Sequence, residues 1–358
     1  MSIAVSFDTV SIVFGDKPAM ALPLMDAGQS RAEVQAETGQ VLGVHDCSLD
    51  VAEGEIVVLM GLSGSGKSTL LRAVNGLNPV IRGAVHVQGA DGMLDVTHAD
   101  PRALRALRLN RVAMVFQQFG LLPWRTVREN VGLGLELGGV GAAERRVRVA
   151  EQLSLVGLSD WAGRKVGELS GGMQQRVGLA RAFATEAPIL LMDEPFSALD
   201  PLIRTRLQDE LLELQARLRR TIVFVSHDLD EAFKLGNRIA IMEGGRIVQC
   251  GTPREIYASP ANAYVADFVA HMNPLQVLRA GDVMDPPTGR PDRQIDVAAP
   301  VAEVTRAISD GGGPIGVTRD GTLVGHITAE GLVHHLGDPA GAAGAGDLRE
   351  RQDNPRDV

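Results

Sequence analysis

The sequence predicts an α/β fold, and three observations carry this prediction. Ile56–Met60 is an unbroken apolar run, as expected for a buried strand. A glycine-rich turn follows it, and then a helical pattern over about residues 68–74. Residues 126–186 lack the strand pattern and show helical spacing instead. An all-helical segment is therefore expected inside an α/β domain.

The turn after this strand has the spacing of a phosphate loop, G-x-x-x-x-G-K-[ST], between a strand and a helix. Its glycines let backbone N–H groups surround phosphate oxygens without Cβ clashes, and the helix directs its positive end at the same anion. Lys67 adds a point charge for phosphate, and Ser68 offers a hydroxyl to Mg²⁺. The residues assigned to this site are Gly61, Ser63, Gly64, Ser65, Gly66, Lys67, Ser68 and Thr69.

Bulk composition excludes several classes of protein. The chain has 358 residues, enough for one large domain and a smaller one, and 45% of them are hydrophobic. Its net charge of −9 argues against nucleic-acid binding as the main function. No apolar run approaches the ~18–20 residues of a membrane span, and we expect no signal peptide. The two cysteines form neither a metal pattern nor a disulfide framework, which is typical of a reducing cytoplasm.

The remaining elements follow from periodicity and capping signals. The insertion at 15–40 interrupts the first sheet, and the Ser30–Glu33 capping box predicts a short helix within it. The expected strands are 3–7, 10–14, 41–51, 83–88, 111–116, 189–194 and 221–226, with a hairpin of 238–243 and 246–249. The other expected helices are 101–107, 127–135, 142–156, 172–185, 201–218, 253–257 and 261–270.

Two carboxylates end the expected strand at 189–194. Asp193 is placed to hold Mg²⁺ through water, and Glu194 to polarise the attacking water. His227 ends the next strand, where it can donate to a terminal phosphate. Phe14 either stacks on an adenine face or ends a core strand.

Ser170, Gly171 and Gly172 open a helix and expose backbone amides at its start, which makes a second anion site. This site cannot serve the phosphate held by Lys67 unless the two are brought together. A head-to-tail dimer would achieve this.

Together these motifs resemble the ATPase subunit of an ABC transporter over about residues 3–270. The resemblance rests on the ordered set GLSGSGKST (61–69), Gln117, LSGGM (169–173), LLMDEP (190–195), SALD (197–200) and His227. It implies a P-loop NTPase fold: a RecA-like core, an antiparallel β-subdomain and a helical subdomain at about 118–186.

The same resemblance assigns roles to residues. ATP and Mg²⁺ would be the cofactors, and Gln117 would join Ser68 and Asp193 at the metal and also take part in catalysis. Ser170 to Gly172 would serve ATP on the partner subunit of a homodimer. Asp200 would lie in the loop that links the two sites.

A narrower resemblance, to importers of quaternary amines, rests on the insertion with TGQVLGV and on DPLIRTRLQDELLELQ and VSHDLDEA. Glycine betaine, proline betaine and choline are the implied substrates, with choline or betaine favoured. The implied partners are transmembrane permease subunits and, indirectly, a periplasmic or extracellular substrate-binding protein. The ATPase would be peripheral, on the cytoplasmic face of the inner membrane.

An apolar stretch after Gln117 contains Phe119, Leu121, Leu122 and Trp124. It either receives a cytoplasmic helix of the permease or packs inside the helical subdomain.

Residues 281–336 resemble a single CBS motif, a strand–helix–strand–strand–helix unit, so a small α+β domain is expected over 271–336. Gly331 stands where this motif usually has an Asp that binds ribose, which makes nucleotide binding there doubtful. The unit is either regulatory or a docking domain. The tail at 337–358 has the composition of a disordered segment.

Three other functions remain as alternatives. The first is an importer ATPase for polyamines or amino acids. The second is a soluble ABC ATPase acting on DNA or ribosomes, which is disfavoured by the single ATPase domain, the absence of sustained heptads and the negative charge. The third is a sensor with an inactive ATPase, which the intact Lys67, Glu194 and His227 oppose.

Overall fold

The computed structural model describes residues 2–118, 120–270, 273, 275, 277–289, 291–311 and 313–337. Phe119 and the predicted disordered tail beyond Gly337 lie outside the described residues. The described residues divide into two compact units, one of residues up to 227 with 240–248, and one of residues 228–239 with those from 249 onward.

An antiparallel four-stranded sheet in the first unit has the order β2-β1-β4-β5, in which β1 pairs with both β2 and β4. This is the predicted β-subdomain. Its strands are β1 (Ile3–Phe14), β2 (Val41–Ala52), β4 (Arg82–Gln88) and β5 (Met93–Asp95), of which β5 was not predicted.

The prediction of two strands at 3–7 and 10–14 is wrong, because β1 runs unbroken across this segment. The register against β2 shifts between Phe7 and Val10, and Thr9 takes a positive φ of 48°. The Thr9 N–H is satisfied by the Ser48 hydroxyl at 3.0 Å. A bulge therefore lets one long strand change direction without ending its pairing.

A six-stranded sheet has the order β10-β9-β3-β8-β7-β6, with β3, β8, β7 and β6 parallel. All residues of β3, β7 and β8 are buried, as expected for a parallel sheet covered on both faces. The strands are β3 (Ile56–Met60), β6 (Val112–Val115), β7 (Ile189–Asp193), β8 (Thr221–Val225), β9 (Arg238–Glu243) and β10 (Arg246–Gly251).

The helices of the first unit follow the predicted pattern except for α1, which was not predicted, and for a break at one glycine. The predicted helix 127–135 is two short helices, since Gly132 ends α5 and begins α6. Gly132 has a weak helix propensity and packs against α7, where a Cβ would lie 3.3 Å from Val149. The helices are α1 (Leu22–Asp26), α2 (Arg31–Thr38), α3 (Lys67–Ala73), α4 (Pro101–Asn110), α5 (Val127–Val131), α6 (Leu133–Leu137), α7 (Ala142–Leu155), α8 (Gly171–Ala184) and α9 (Pro201–Leu218).

The insertion at 15–40 has its own small core. The capping box predicted at Ser30 is present and starts α2, while α1 was not predicted. Buried apolar residues of the insertion pack on the ends of β1 and β2; the cluster consists of Val13, Ala21, Met25, Val34 and Leu42.

The second unit contains a three-stranded sheet of order β11-β12-β13, with β11 parallel and β13 antiparallel to β12. The expected order strand–helix–strand–strand–helix is observed: β11 (Arg293–Asp296), α13 (Val301–Gly311), β12 (Ile315–Arg319), β13 (Thr322–Ile327) and α14 (Ala329–Gly337). The other helices are α10 (Leu229–Leu235), which was not predicted, α11 (Pro253–Ala258) and α12 (Ala263–Val269). In the part of the chain that is described, no helix has the length and apolar character needed to cross a membrane.

Candidate active site

The phosphate loop is shaped by glycines that admit no side chain. Gly61 follows β3 with φ +144°, and a Cβ there would overlap the Met242 carbonyl oxygen. Gly66 caps α3 with φ +103°, and a Cβ would come within 2.7 Å of Val44. Both positions therefore require glycine for conformation and for space.

Lys67 is buried at the first position of α3, with its ammonium group turned into the loop. Nζ donates to the carbonyl oxygens of Gly61 at 2.7 Å and Leu62 at 2.9 Å. Burial lowers the pKa of Lys67, while the negative charges of Glu194 and Asp193 oppose that shift. The ammonium group of Lys67 therefore binds only neutral carbonyl oxygens in these two hydrogen bonds. Phosphate oxygens could replace them, because hydrogen bonds between charged groups are stronger than those to neutral acceptors.

Asp193 is fully buried at the end of β7, and both of its oxygens have partners. The Ser68 hydroxyl donates to Oδ1 at 2.6 Å, and Arg72 donates to Oδ2 at 2.8 Å. Ser68 follows β3 and Asp193 ends β7, and these two parallel strands flank β8, so both residues lie at the same edge of the sheet. Sequence reasoning missed Arg72; its position one turn after Ser68 on α3 was the available signal.

Glu194 lies at the centre of the predicted catalytic group. Its Oε2 accepts from Gln117 Nε2 at 3.2 Å and lies 3.3 Å from His227 Nδ1. Three strand ends, those of β6, β7 and β8, therefore converge on one carboxylate. The Glu194 side chain is 18% exposed and the His227 side chain 60%, so the group faces solvent on the histidine side.

The backbone of Glu194 is fixed in the left-handed region, with φ +48°. Its N–H donates to the Val225 carbonyl at 3.1 Å, and its own carbonyl accepts from Gln175 at 3.3 Å. Gln175 Oε1 also accepts from the Ala198 N–H at 3.1 Å. This buried glutamine of α8, which sequence reasoning missed, connects the helical segment to the turn that contains Glu194.

Ser170 and Asp200 both begin helices. The Ser170 hydroxyl accepts from Met173 N at 3.4 Å, and Asp200 accepts from Ile203 N at 3.0 Å. Ser170, Gly171 and Asp200 are exposed, and Gly172 is half-buried. Their hydrogen bonds are local, in keeping with a surface that would serve a second subunit.

Phe14 ends β1 and is 38% exposed. A Cβ on Gly43 would lie 3.0 Å from the Phe14 ring and 2.9 Å from the Thr69 methyl group. Phe14 thus stands beside α3, with one part of its ring open to solvent. Adenine stacking on it stays a prediction.

This arrangement fits a nucleotide with a hard divalent cation. Hydroxyl and carboxylate oxygens such as those of Ser68 and Asp193 are ligands that Mg²⁺ prefers. The loop amides and Lys67 suit polyphosphate. Ser63, Gly64 and Ser65 complete the loop, and Ser65 N donates to Leu62 O at 3.1 Å.

Comparison with known proteins places this site in a family. The ABC transporter family profile matches residues 44–197. The glycine betaine/proline betaine transport system ATP-binding protein ProV of Escherichia coli is 50% identical over 283 residues, covering 79% of this chain and 70% of that protein. The trimethylamine N-oxide transport system ATP-binding protein TmoW of Ruegeria pomeroyi is 43% identical over 338 residues, covering 94% of this chain and 97% of that protein.

A bacterial ABC transporter cassette solved as a dimer matches with a TM-score of 0.60 and 31% identity, covering 69% of this chain and 98% of that chain. The same cassette has been solved in a post-hydrolysis state with ADP and Pi. These matches confirm the predicted P-loop fold, ATP binding and ATPase class. The chain belongs to the ATP-binding subunits of ABC transporters, in the group that contains the ATPases of glycine betaine and proline betaine uptake systems.

Proposed function

We propose that this chain hydrolyses ATP to power import of a quaternary ammonium compound through a membrane permease. The observation that carries the proposal is the 50% identity to a glycine betaine/proline betaine ATP-binding protein, combined with an intact catalytic group around Glu194. The chain would act as a homodimer on the cytoplasmic face of the inner membrane. A substrate-binding protein would deliver the solute to the permease.

The catalytic steps follow from the positions of the side chains. Lys67 and the loop amides would hold the phosphates, and Ser68, Asp193 and Gln117 would hold Mg²⁺. The ion supplies positive charge to the transferring phosphoryl group. Glu194 accepts the proton of the attacking water. His227, which lies beside the Glu194 carboxylate, donates a hydrogen bond to the terminal phosphate.

The two nucleotide sites would each be completed by the partner subunit. The exposed helix start at Ser170, Gly171 and Gly172 would bind the terminal phosphate of ATP held by the other copy. Asp200, which caps α9, would carry the link between the sites.

Choline or glycine betaine is the proposed substrate class, which carries a trimethylated cationic nitrogen. Trimethylamine N-oxide is a second candidate, because the TmoW relative matches nearly the whole of both chains. The glycine betaine relative ProV is longer, and this chain covers 70% of it.

Reconstitution tests the substrate class. The ATPase would be assembled with its permease in liposomes, and hydrolysis measured with binding protein plus choline, glycine betaine, trimethylamine N-oxide, a polyamine or an amino acid. We expect stimulation by one of the first three compounds. Stimulation only by a polyamine or an amino acid would refute the proposed substrate class.

A further inference from the structure

Arg31 is the first residue of α2 and reaches from the insertion to the phosphate loop. Nη1 donates to the Gly64 carbonyl oxygen in the loop, and Nη2 donates to the Gly43 carbonyl oxygen in β2. The Ser30 capping box fixes the start of α2 and therefore the base of the Arg31 side chain. One guanidinium thus joins the insertion, the first sheet and the loop.

The space around this guanidinium is formed by glycines. A Cβ on Gly245 would lie 2.9 Å from Arg31 Nη2, and a Cβ on Gly66 would lie 3.4 Å from it. Gly245 has φ +90° and Gly66 has φ +103°, so both also need glycine for conformation. The fold therefore keeps a slot open beside the phosphate loop, and Arg31 fills it.

Among the described residues, no acidic side chain lies at hydrogen-bond distance from the Arg31 guanidinium, which donates only to carbonyl oxygens. Burial lowers the pKa of Arg31, although a guanidinium stays charged at neutral pH. Nε is buried and finds no hydrogen-bond partner among the described residues. Burying a charged donor against neutral carbonyls opposes folding, unless the position gains an anionic ligand nearby.

We infer that Arg31 is a positioning residue for nucleotide binding, which holds the phosphate loop at Gly64 in the shape that receives phosphate. The inference rests on the proposed role of the loop in binding ATP. By holding the outward-facing carbonyl, Arg31 limits rotation of the Gly64–Ser65 peptide and adds positive charge beside the anion site. The insertion thereby becomes part of the nucleotide site, and ATP should in turn stabilise α2.

The test compares Arg31→Met and Arg31→Lys with a control, Arg82→Met, in the full chain. Arg82 anchors the same insertion through Asp26, with Nη1 to Oδ2 at 2.8 Å, but its hydrogen bonds do not reach the loop. Amide hydrogen exchange of residues 62–68 and 31–38 is measured without nucleotide and with ATP. The KM and kcat for ATP are measured on the same preparations.

We expect Arg31→Met to speed exchange of residues 62–68 about tenfold without nucleotide, and to raise the KM for ATP about tenfold with kcat within twofold. A tenfold change corresponds to about 1.4 kcal/mol. Arg31→Lys keeps the charge but cannot donate to both carbonyl oxygens in the same geometry. Its loop exchange rate and its KM for ATP should lie between those of the wild type and Arg31→Met. Arg82→Met should speed exchange in the insertion only and leave the KM within twofold.

Two results would overturn the inference. Equal exchange of residues 62–68 in Arg31→Met and Arg82→Met would show that Arg31 merely anchors the insertion. Faster loop exchange with an unchanged KM would show that Arg31 braces the loop without positioning it for ATP. If the wild-type chain bound no ATP, the proposed function would fail, while the exchange comparison would still decide whether Arg31 holds the loop.

Discussion

The backbone and the side chain of Glu194, the proposed catalytic carboxylate, are both held in place by hydrogen bonds. Its positive φ costs roughly 1–3 kcal/mol in a residue other than glycine, and the hydrogen bonds to Val225 and Gln175 hold it there. The strained backbone directs the carboxylate toward Gln117 and His227. The strained backbone of Glu194 therefore fixes the position of its carboxylate.

Replacing Glu194 by Gln should reduce ATP turnover by roughly 10²–10⁴-fold, because the attacking water loses its base. ATP binding should remain, since Lys67 and the loop are unchanged, and an ATP-bound dimer should accumulate. Size-exclusion chromatography with and without Mg-ATP, alongside phosphate release, measures both effects. Lys67→Ala is the comparison and should weaken binding itself. Normal hydrolysis by Glu194→Gln would disprove the catalytic assignment.

His45 predicts a pH dependence of stability. It is buried against Asp26, with Arg82, Arg246 and Asp46 nearby. Desolvation is the largest effect, and the pKa of His45 falls below its ordinary value of 6.5. Below about pH 6.5 the unfolded chain binds a proton that the folded chain does not, so stability falls from that pH down to the lowered pKa of the folded state.

Thermal unfolding of the wild type and His45→Asn between pH 7.5 and 5.5 checks this expectation. The wild type should lose more stability over that range than the variant does. The difference between the two proteins isolates His45 from the other histidines. If the stability of both proteins changed equally with pH, His45 would not contribute to the pH dependence.

At the level of elements, the turn before α5 combines a rigid backbone with an exposed indole. The Asn130 side chain is fully buried, and it accepts from Leu122 N at 2.8 Å and donates to Thr126 O at 3.0 Å. Trp124 within this turn is 68% exposed. Core packing therefore does not explain Trp124, whereas Leu121 and Leu122 are half-buried.

We expect Trp124→Ala to reduce coupling of transport to ATP hydrolysis at least tenfold, while basal ATPase of the isolated subunit stays within twofold. Exposed tryptophans held on rigid turns are typical interface anchors. Trp161→Ala, at a 39% exposed tryptophan, is the matched control. If basal ATPase falls together with transport, Trp124 supports the fold and the docking hypothesis is wrong.

Local signals in the sequence predicted most elements and placed Gln117, Glu194 and His227 at strand ends, because strand ends and caps are set by neighbouring residues. The capping box at Ser30 and the carboxylates after β7 are examples. The bulge at Thr9 and the break at Gly132 depend on packing between distant segments, so periodicity missed them. Contacts of Arg72 and Arg31 join residues 121 and 33 positions apart, which no local pattern encodes.

For the whole molecule, the second unit raises the question of nucleotide sensing. A Cβ on Gly331 would lie 2.7 Å from Asp285 Oδ2, so the carboxylate of Asp285 already occupies the space beside this glycine. Asp285 Oδ1 lies 3.2 Å from His335 Nε2 on α14. We propose that this unit, whether regulatory or docking, does not sense AMP or ATP.

Restoring an acidic residue with Gly331→Asp should lower the unfolding temperature of the chain, because two carboxylates would then meet at close range. It should not create AMP binding in calorimetry of the full chain. Gly313→Asp is the control, since a Cβ at Gly313 meets nothing within 4 Å. Micromolar AMP binding that persists when Lys67→Ala is introduced, either alone or together with Gly331→Asp, would refute the proposal.

The small core of the insertion has an evolutionary consequence. Val13 and Leu42 pair directly across β1 and β2, and both are covered by apolar residues of the insertion. A deletion that replaced residues 15–40 with a tight turn would expose this pair to water and leave an aggregation-prone sheet end. Loss of the insertion would require polar substitutions on both strands at the same time.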